Sequence, residues 1–125
     1  KGLSQASKKA DRATGEGLIY AYIHSGGKIG VLLEVNCETD FVARNEEFQS
    51  FVRDLGLHIA GSIPPPQYVR KEDAPPEQVD SAVFLMEMPF IKDPSITIRE
   101  MVTQKIAKIG ENIVIRRFTR YQLGE

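Results

Sequence analysis

The side chains able to attack, shuttle protons or bind metal are Cys37, His24, His58 and the acids Glu38, Asp40, Glu46 and Glu47. A nucleophilic cysteine needs a lowered pKa and a partner base, whereas Cys37 continues the alternating strand of Ile29, Val31, Leu33 and Val35 and reads as a buried structural thiol. His24 and His58 fall on different elements with no CxxC or HExxH spacing, which argues against zinc. The acids lack the spacing and glycine of a calcium loop, and Glu46 and Glu47 suit the first turn of a helix. Neither a Walker loop nor a dinucleotide glycine fingerprint is present. The inventory predicts no catalytic residue, no metal site and no cofactor. Two features remain. Lys105, Lys108, Arg116, Arg117 and Arg120 form a basic cluster, with Phe118 and Tyr121 available for stacking. It reads either as a solvated helix face beside a sheet edge or as an RNA or ribosome contact. The second feature is Phe41, placed beside Asp40 where a strand runs into a helix. By spacing alone it is a hydrophobic staple that packs back onto its own helix or strand.

The bounds agree with a binding module. A chain of 125 residues makes one domain and can bury a core without staples. Its net charge of −1 gives no general attraction to nucleic acid or anionic membrane. No apolar run is long enough to span a bilayer, and the start lacks the apolar stretch of a secretory signal. One cysteine fits a reducing compartment. The chain opens on Lys1 rather than Met, which predicts further sequence upstream.

The elements that must position these residues follow from pattern. Residues 1–16 read as a basic, polar linker or helical tail, and 17–125 as a single core domain. Residues 17–24 alternate as a strand buried on much of both sides, and Ser25-Gly26-Gly27 turns it into a partner strand carrying Ile29, Val31, Leu33 and Val35. Asn45 caps a helix whose stripe is Phe48, Phe51, Val52, Leu55 and Ile59, with His58 off that stripe. Gly61 and Pro64-Pro65-Pro66 end it, and 64–81 reads as irregular with a short extended piece at 67–69. Residues 82–93 are apolar, and periodicity leaves helix turn and buried strand both open. Thr97 and Glu100 form a capping box for a helix closed by Gly110, before a final strand from 111 to 123. The fold class is α+β: an antiparallel three-stranded sheet, hairpin plus C-terminal strand, packed with helices.

Glu34–Arg44, EVNCETDFVAR, resembles the hallmark segment of bacterial and organellar elongation factor Ts. Lys108–Arg117 (KIGENIVIRR), Met88–Asp93 (MPFIKD) and residues 5–12 (QASKKADR) resemble three further segments of that family. The resemblance spans nearly the whole chain, but departs from the family twice. The chain starts at the end of the family's N-terminal ubiquitin-associated-type module, and a longer helical stretch is missing between about 77 and 84.

What the resemblance implies is a guanine nucleotide exchange factor for the GTPase elongation factor Tu, in a bacterial cytoplasm or an organelle. It implies that Thr39, Asp40 and Phe41 press on the GTPase, with the phenylalanine wedged between two helices near the magnesium and phosphate site. It also implies that Ile29 and Gly30 lie near the GTPase. The ending at residues 116–125 is similar to the short form of the family, which pairs as a homodimer. No membrane is implied, and nucleic acid is not an expected partner.

Overall fold

The computed structural model describes residues 2–125, with side chains from Ala6 onward. Its elements run α1 (Gly2–Lys9), β1 (Glu16–Ile23), β2 (Ile29–Cys37), α2 (Asp40–Ala43), α3 (Glu46–Gly61), β3 (Pro89–Phe90), β4 (Asp93–Thr97), α4 (Ile98–Ile109) and β5 (Val114–Gln122). Short 3-10 turns occupy Lys71–Asp73, Pro76–Gln78 and Leu85–Glu87. The main sheet has the order β1-β2-β5, antiparallel throughout, and β3 pairs with β4 in a separate hairpin. The expected α+β class holds, and the small hairpin is an addition to it.

The hairpin forms where glycine permits it. Gly26 and Gly27 adopt φ of 93° and 72°, and His24 N–H donates to Ile29 O at 2.9 Å to close the loop. Val31, Leu33, Val35 and Cys37 then project to one side of β2, where α3 covers them with Phe48, Phe51, Val52, Leu55 and Ile59. The strand β5 needs a bulge to join this face. Glu34 pairs with Arg117 but Val35 with Ile115, so Arg116 is the extra residue. Without it Ile115 and Phe118, three apart, would point to opposite sides. With it both turn toward the core, and Arg116 is freed to donate to Asn36 Oδ1 at 2.7 Å.

The two helix boundaries read from sequence are realised in atomic detail. Asn45 Oδ1 accepts from the Glu47 and Phe48 amides, and Thr97 and Glu100 bond reciprocally at 3.1 and 2.8 Å. Gly110 is left-handed at φ 89°, ending α4. The N-terminal tail is helical over Gly2–Lys9 and lies against α4. In the irregular region Tyr68 bridges Phe84, so the expected extended piece exists. The apolar stretch divides, one turn of 3-10 helix at Leu85–Glu87 and then β3.

Two expectations are corrected. The strand β1 is not buried on both sides: Leu18, Tyr20 and Tyr22 face the core, while Ile19 and Ile23 are more than half exposed. The reason is that α3 covers one face of the sheet and no element of the described residues covers the other. His58 is not off the packed face but wholly buried against Phe90. The β3–β4 hairpin supplies the missing wall, and Ile91 N–H donates to His58 Nδ1 at 3.0 Å. His58 Nε2 has no partner among the described residues.

Burial pushes the His58 imidazole from the usual 6.5 down to about 4. Between those values the unfolded chain binds a proton that the folded chain refuses. Its contribution is therefore intact above pH 6.5 and is lost as pH falls toward 4. Urea unfolding at pH 7 and pH 5 tests this: the stability difference between the two is expected to shrink by about 2 kcal/mol in His58→Gln. An undiminished difference would assign the pH dependence to other groups.

Candidate partner-binding site

The quoted segment crosses from the most buried part of the sheet to the surface within four residues. Cys37 ends β2 fully buried, and burial raises its thiol from 9.0 to about 11, with the Glu111 charge adding to the effect. No appreciable thiolate exists at neutral pH, and Sγ donates to Thr39 O at 3.2 Å. Thr39 is extended at φ −128° and ψ 153°, and its Oγ1 accepts from Val42 N–H at 3.2 Å. It is the N-cap of α2, as its type suggests.

The helix α2 is a single turn of four residues, Asp40–Ala43. Val42 and Ala43 are buried and anchor it. At roughly 100° per residue, the residue before such a pair points away from its anchored side. That residue is Phe41, and it is 74% exposed. It does not staple onto α3. Asp40 stands in the first turn and pairs with Arg44 at 2.9 Å. The hydrogen bond from Arg44, and then its charge, holds the Asp40 carboxyl below the ordinary carboxylate range. Both partners are solvated, so the pair orients more than it stabilises.

A residue that sequence reasoning missed completes the turn. Glu111, just past the C-cap of α4, accepts from the Glu38 and Thr39 amides through Oε1, each at 3.1 Å. Its Oε2 accepts from Thr39 Oγ1 at 2.7 Å. In return Glu38 Oε2 accepts from Asn112 N–H at 2.6 Å, and Arg12 stands 3.7 Å from the same oxygen. Asn112 Nδ2 donates to Ala10 O and Arg12 O at 3.3 and 3.0 Å, so the end of the N-terminal segment meets the same junction. One signal was available. An acid directly after a helix C-terminus is electrostatically misplaced unless something else holds it.

The other expected contact residues lie elsewhere. Ile29 and Gly30 open β2 at the hairpin, whereas Thr39 follows its far end. At the rise of a strand the two ends are more than about 20 Å apart. Ile29 packs against the core, and a Cβ on Gly30 would meet Ile23 Cδ1 at 3.1 Å. The structure thus gathers Thr39, Asp40 and Phe41 into one feature and leaves Ile29 and Gly30 outside it.

The basic cluster is dispersed and engaged. Lys105 and Lys108 both pair with Glu47, which joins α4 to α3 and lowers the Glu47 pKa. Arg116 binds Asn36, Arg117 binds Glu34 at 2.8 Å, and Arg120 donates to Ile59 O and Ala60 O. Arg120 therefore caps the last carbonyls of α3. Among the described residues no group of three His, Cys, Asp or Glu side chains is placed to share a metal ion.

Comparison with known proteins completes the description. The family model described as "Elongation factor TS" matches residues 5–83 and 38–125. The elongation factor Ts of Carboxydothermus hydrogenoformans is 46% identical, covering 100% of this chain and 71% of its own. Those of Geobacter sulfurreducens and Heliobacterium modesticaldum are 45% and 41% identical, each with 72% of its length covered. These alignments run over 157 positions against a chain of 125, so 32 positions of the relatives have no counterpart here. The segment around Phe41 and the Glu111 segment that clamps it both lie within the matched region, and on this evidence the chain belongs to the elongation factor Ts family.

Proposed function

We propose that Phe41 is the side chain through which this chain loosens bound nucleotide, by wedging between helices of its GTPase partner. The activity itself follows from the family. Elongation factor Ts is a nucleotide exchange factor for elongation factor Tu and transforms nothing covalently. The observation that carries the finer reading is the exposure of Phe41 on a turn anchored by buried Val42 and Ala43 and by the hydrogen-bonded Thr39 cap.

The physics of such a wedge is direct. A GTPase holds its nucleotide through phosphate and Mg²⁺ contacts spread over several loops, so one displacement weakens many of them together. Packed helices respond to an inserted ring by a discrete shift, because close-packed interiors do not deform continuously. Burying a Phe side chain contributes about 1.5–3 kcal/mol from area alone, enough to offset part of that shift. Thr39 and Asp40 precede the ring and orient it, and Ile29 and Gly30, at the opposite end of β2, offer a second, separate contact.

The chain acts as a homodimer on this reading, paired through the uncovered sheet face. Registered rows there bring Ile19 beside Glu34 and Arg117, Ala21 beside Leu32 and Thr119, and Ile23 beside Gly30 and Tyr121. Ile19, Ile23, Leu32 and Tyr121 are each more than half exposed, with Glu34 and Arg117 ion-paired at one end. A second copy of the same face matches this pattern of apolar centre and charged edge.

Two measurements test these readings. Phe41→Ala is expected to fold and melt normally yet slow stimulated release of a fluorescent GDP analogue from elongation factor Tu about thirtyfold or more, as loss of an interface anchor does. Normal stimulation would sink the wedge. Light scattering after size exclusion at micromolar concentration is expected to give twice the chain mass, and half that mass for Leu32→Glu. A wild-type monomer overturns the paired arrangement.

A further inference from the structure

We propose that Glu111 is a positioning residue for nucleotide exchange: its carboxylate fixes the turn that aims Phe41. The inference rests on the reading of Phe41 as the partner-contacting side chain. Its basis is where the unsatisfied groups of this turn lie. The strand ladder stops at Cys37, so the amides of Glu38 and Thr39 extend beyond the last paired residue. Both are satisfied by one oxygen of Glu111. Bonds from backbone amides to a carboxylate are charge-assisted and about twice as strong as neutral ones.

The second oxygen carries the orientation forward. Thr39 Oγ1 donates its proton to Glu111 Oε2 and uses a lone pair to accept from Val42 N–H. Those two bonds use the hydroxyl in opposite senses, so the Glu111 carboxylate sets the rotor of the side chain that starts α2. A helix of four residues has no stability of its own. Its direction comes from Val42 and Ala43 below and from Thr39 at its start. With Glu111 removed, the anchor below remains and the start is left to water.

Glu111 is itself immobilised. It follows the left-handed Gly110, and its neighbour Asn112 is held by Glu38 Oε2, Ala10 O and Arg12 O. The two loops exchange carboxylates, each accepting backbone N–H groups of the other. A turn ordered before the encounter avoids an ordering cost during it. Loss of Glu111 therefore weakens capture of the GTPase more than it slows release once captured.

The test is a double-mutant cycle in the exchange assay with elongation factor Tu loaded with a fluorescent GDP analogue. Glu111→Ala is expected to raise the factor concentration for half-maximal release about tenfold, with the plateau rate within about twofold of the parent. Glu111→Gln, which retains one acceptor oxygen for the two amides but loses the charge and the acceptor for the Thr39 proton, is expected to recover only part of that loss. In a Phe41→Ala background the Glu111→Ala change is expected to add less than about twofold, because residues acting through one another are non-additive. An undiminished effect in that background, or no effect in the parent, overturns the inference while leaving Phe41 in place. Normal exchange by Phe41→Ala alone overturns the reading beneath it. If Glu111→Ala does not fold, the isosteric Glu111→Gln carries the same cycle by removing the charge and the oxygen that accepts the Thr39 proton, and a parental half-maximal concentration in that variant overturns the proposal.

Discussion

The exchange of carboxylates between the turn after β2 and the turn after α4 is the constraint on which this molecule's surface geometry rests. Glu111 reaches back to residues more than seventy positions earlier, and Glu38 reaches forward to Asn112. Each places a negative charge on backbone donors that no strand or helix satisfies. The pairing closes the sheet at one end, holds α4 to β2, and gathers the end of the N-terminal segment through Asn112. Breaking it would leave amides beyond the ladder without protein partners and the start of α2 without its fixed hydroxyl.

On this foundation an aromatic ring can be held outward at little risk to the fold. The core beneath it is complete without Phe41: β2 contributes Val31, Leu33, Val35 and Cys37, and α3 contributes two phenylalanines and four aliphatic side chains. Stability and presentation are therefore carried by different residues. For an exchange factor that separation has a thermodynamic use. Factor and nucleotide must each weaken the other's binding by the same ratio. A loose turn would spend part of its binding energy on ordering itself.

The same economy explains how the basic residues are used. Arg120 satisfies the last carbonyls of α3, Arg116 occupies the β5 bulge, and the two lysines secure α3 to α4 through Glu47. Each of these basic side chains is engaged within the chain by a named acceptor. The uncovered sheet face is the counterpart: it carries the exposed aliphatic and aromatic side chains that the covered face does not.

Local chemistry was legible in the sequence. Glycines at 26 and 27, the Asn45 cap, the Thr97–Glu100 box and Gly110 each specify a conformation through nearby atoms, and each formed as read. The family segment around Phe41 was likewise visible, since eleven adjacent residues carry it without reference to folding. What tertiary structure alone decided concerns partners distant in sequence. Strand alternation marked β1 as apolar on both faces, but only the placing of α3 determined which face is covered. Helical spacing put His58 off the stripe, and only the β3–β4 hairpin, thirty residues onward, made a wall around it. Glu111 drew no reading from sequence, because only the folded chain brings two unpaired amides and a hydroxyl to its carboxylate. Nearest-neighbour physics determined the elements; which faces were buried and which charges were answered depended on how those elements met.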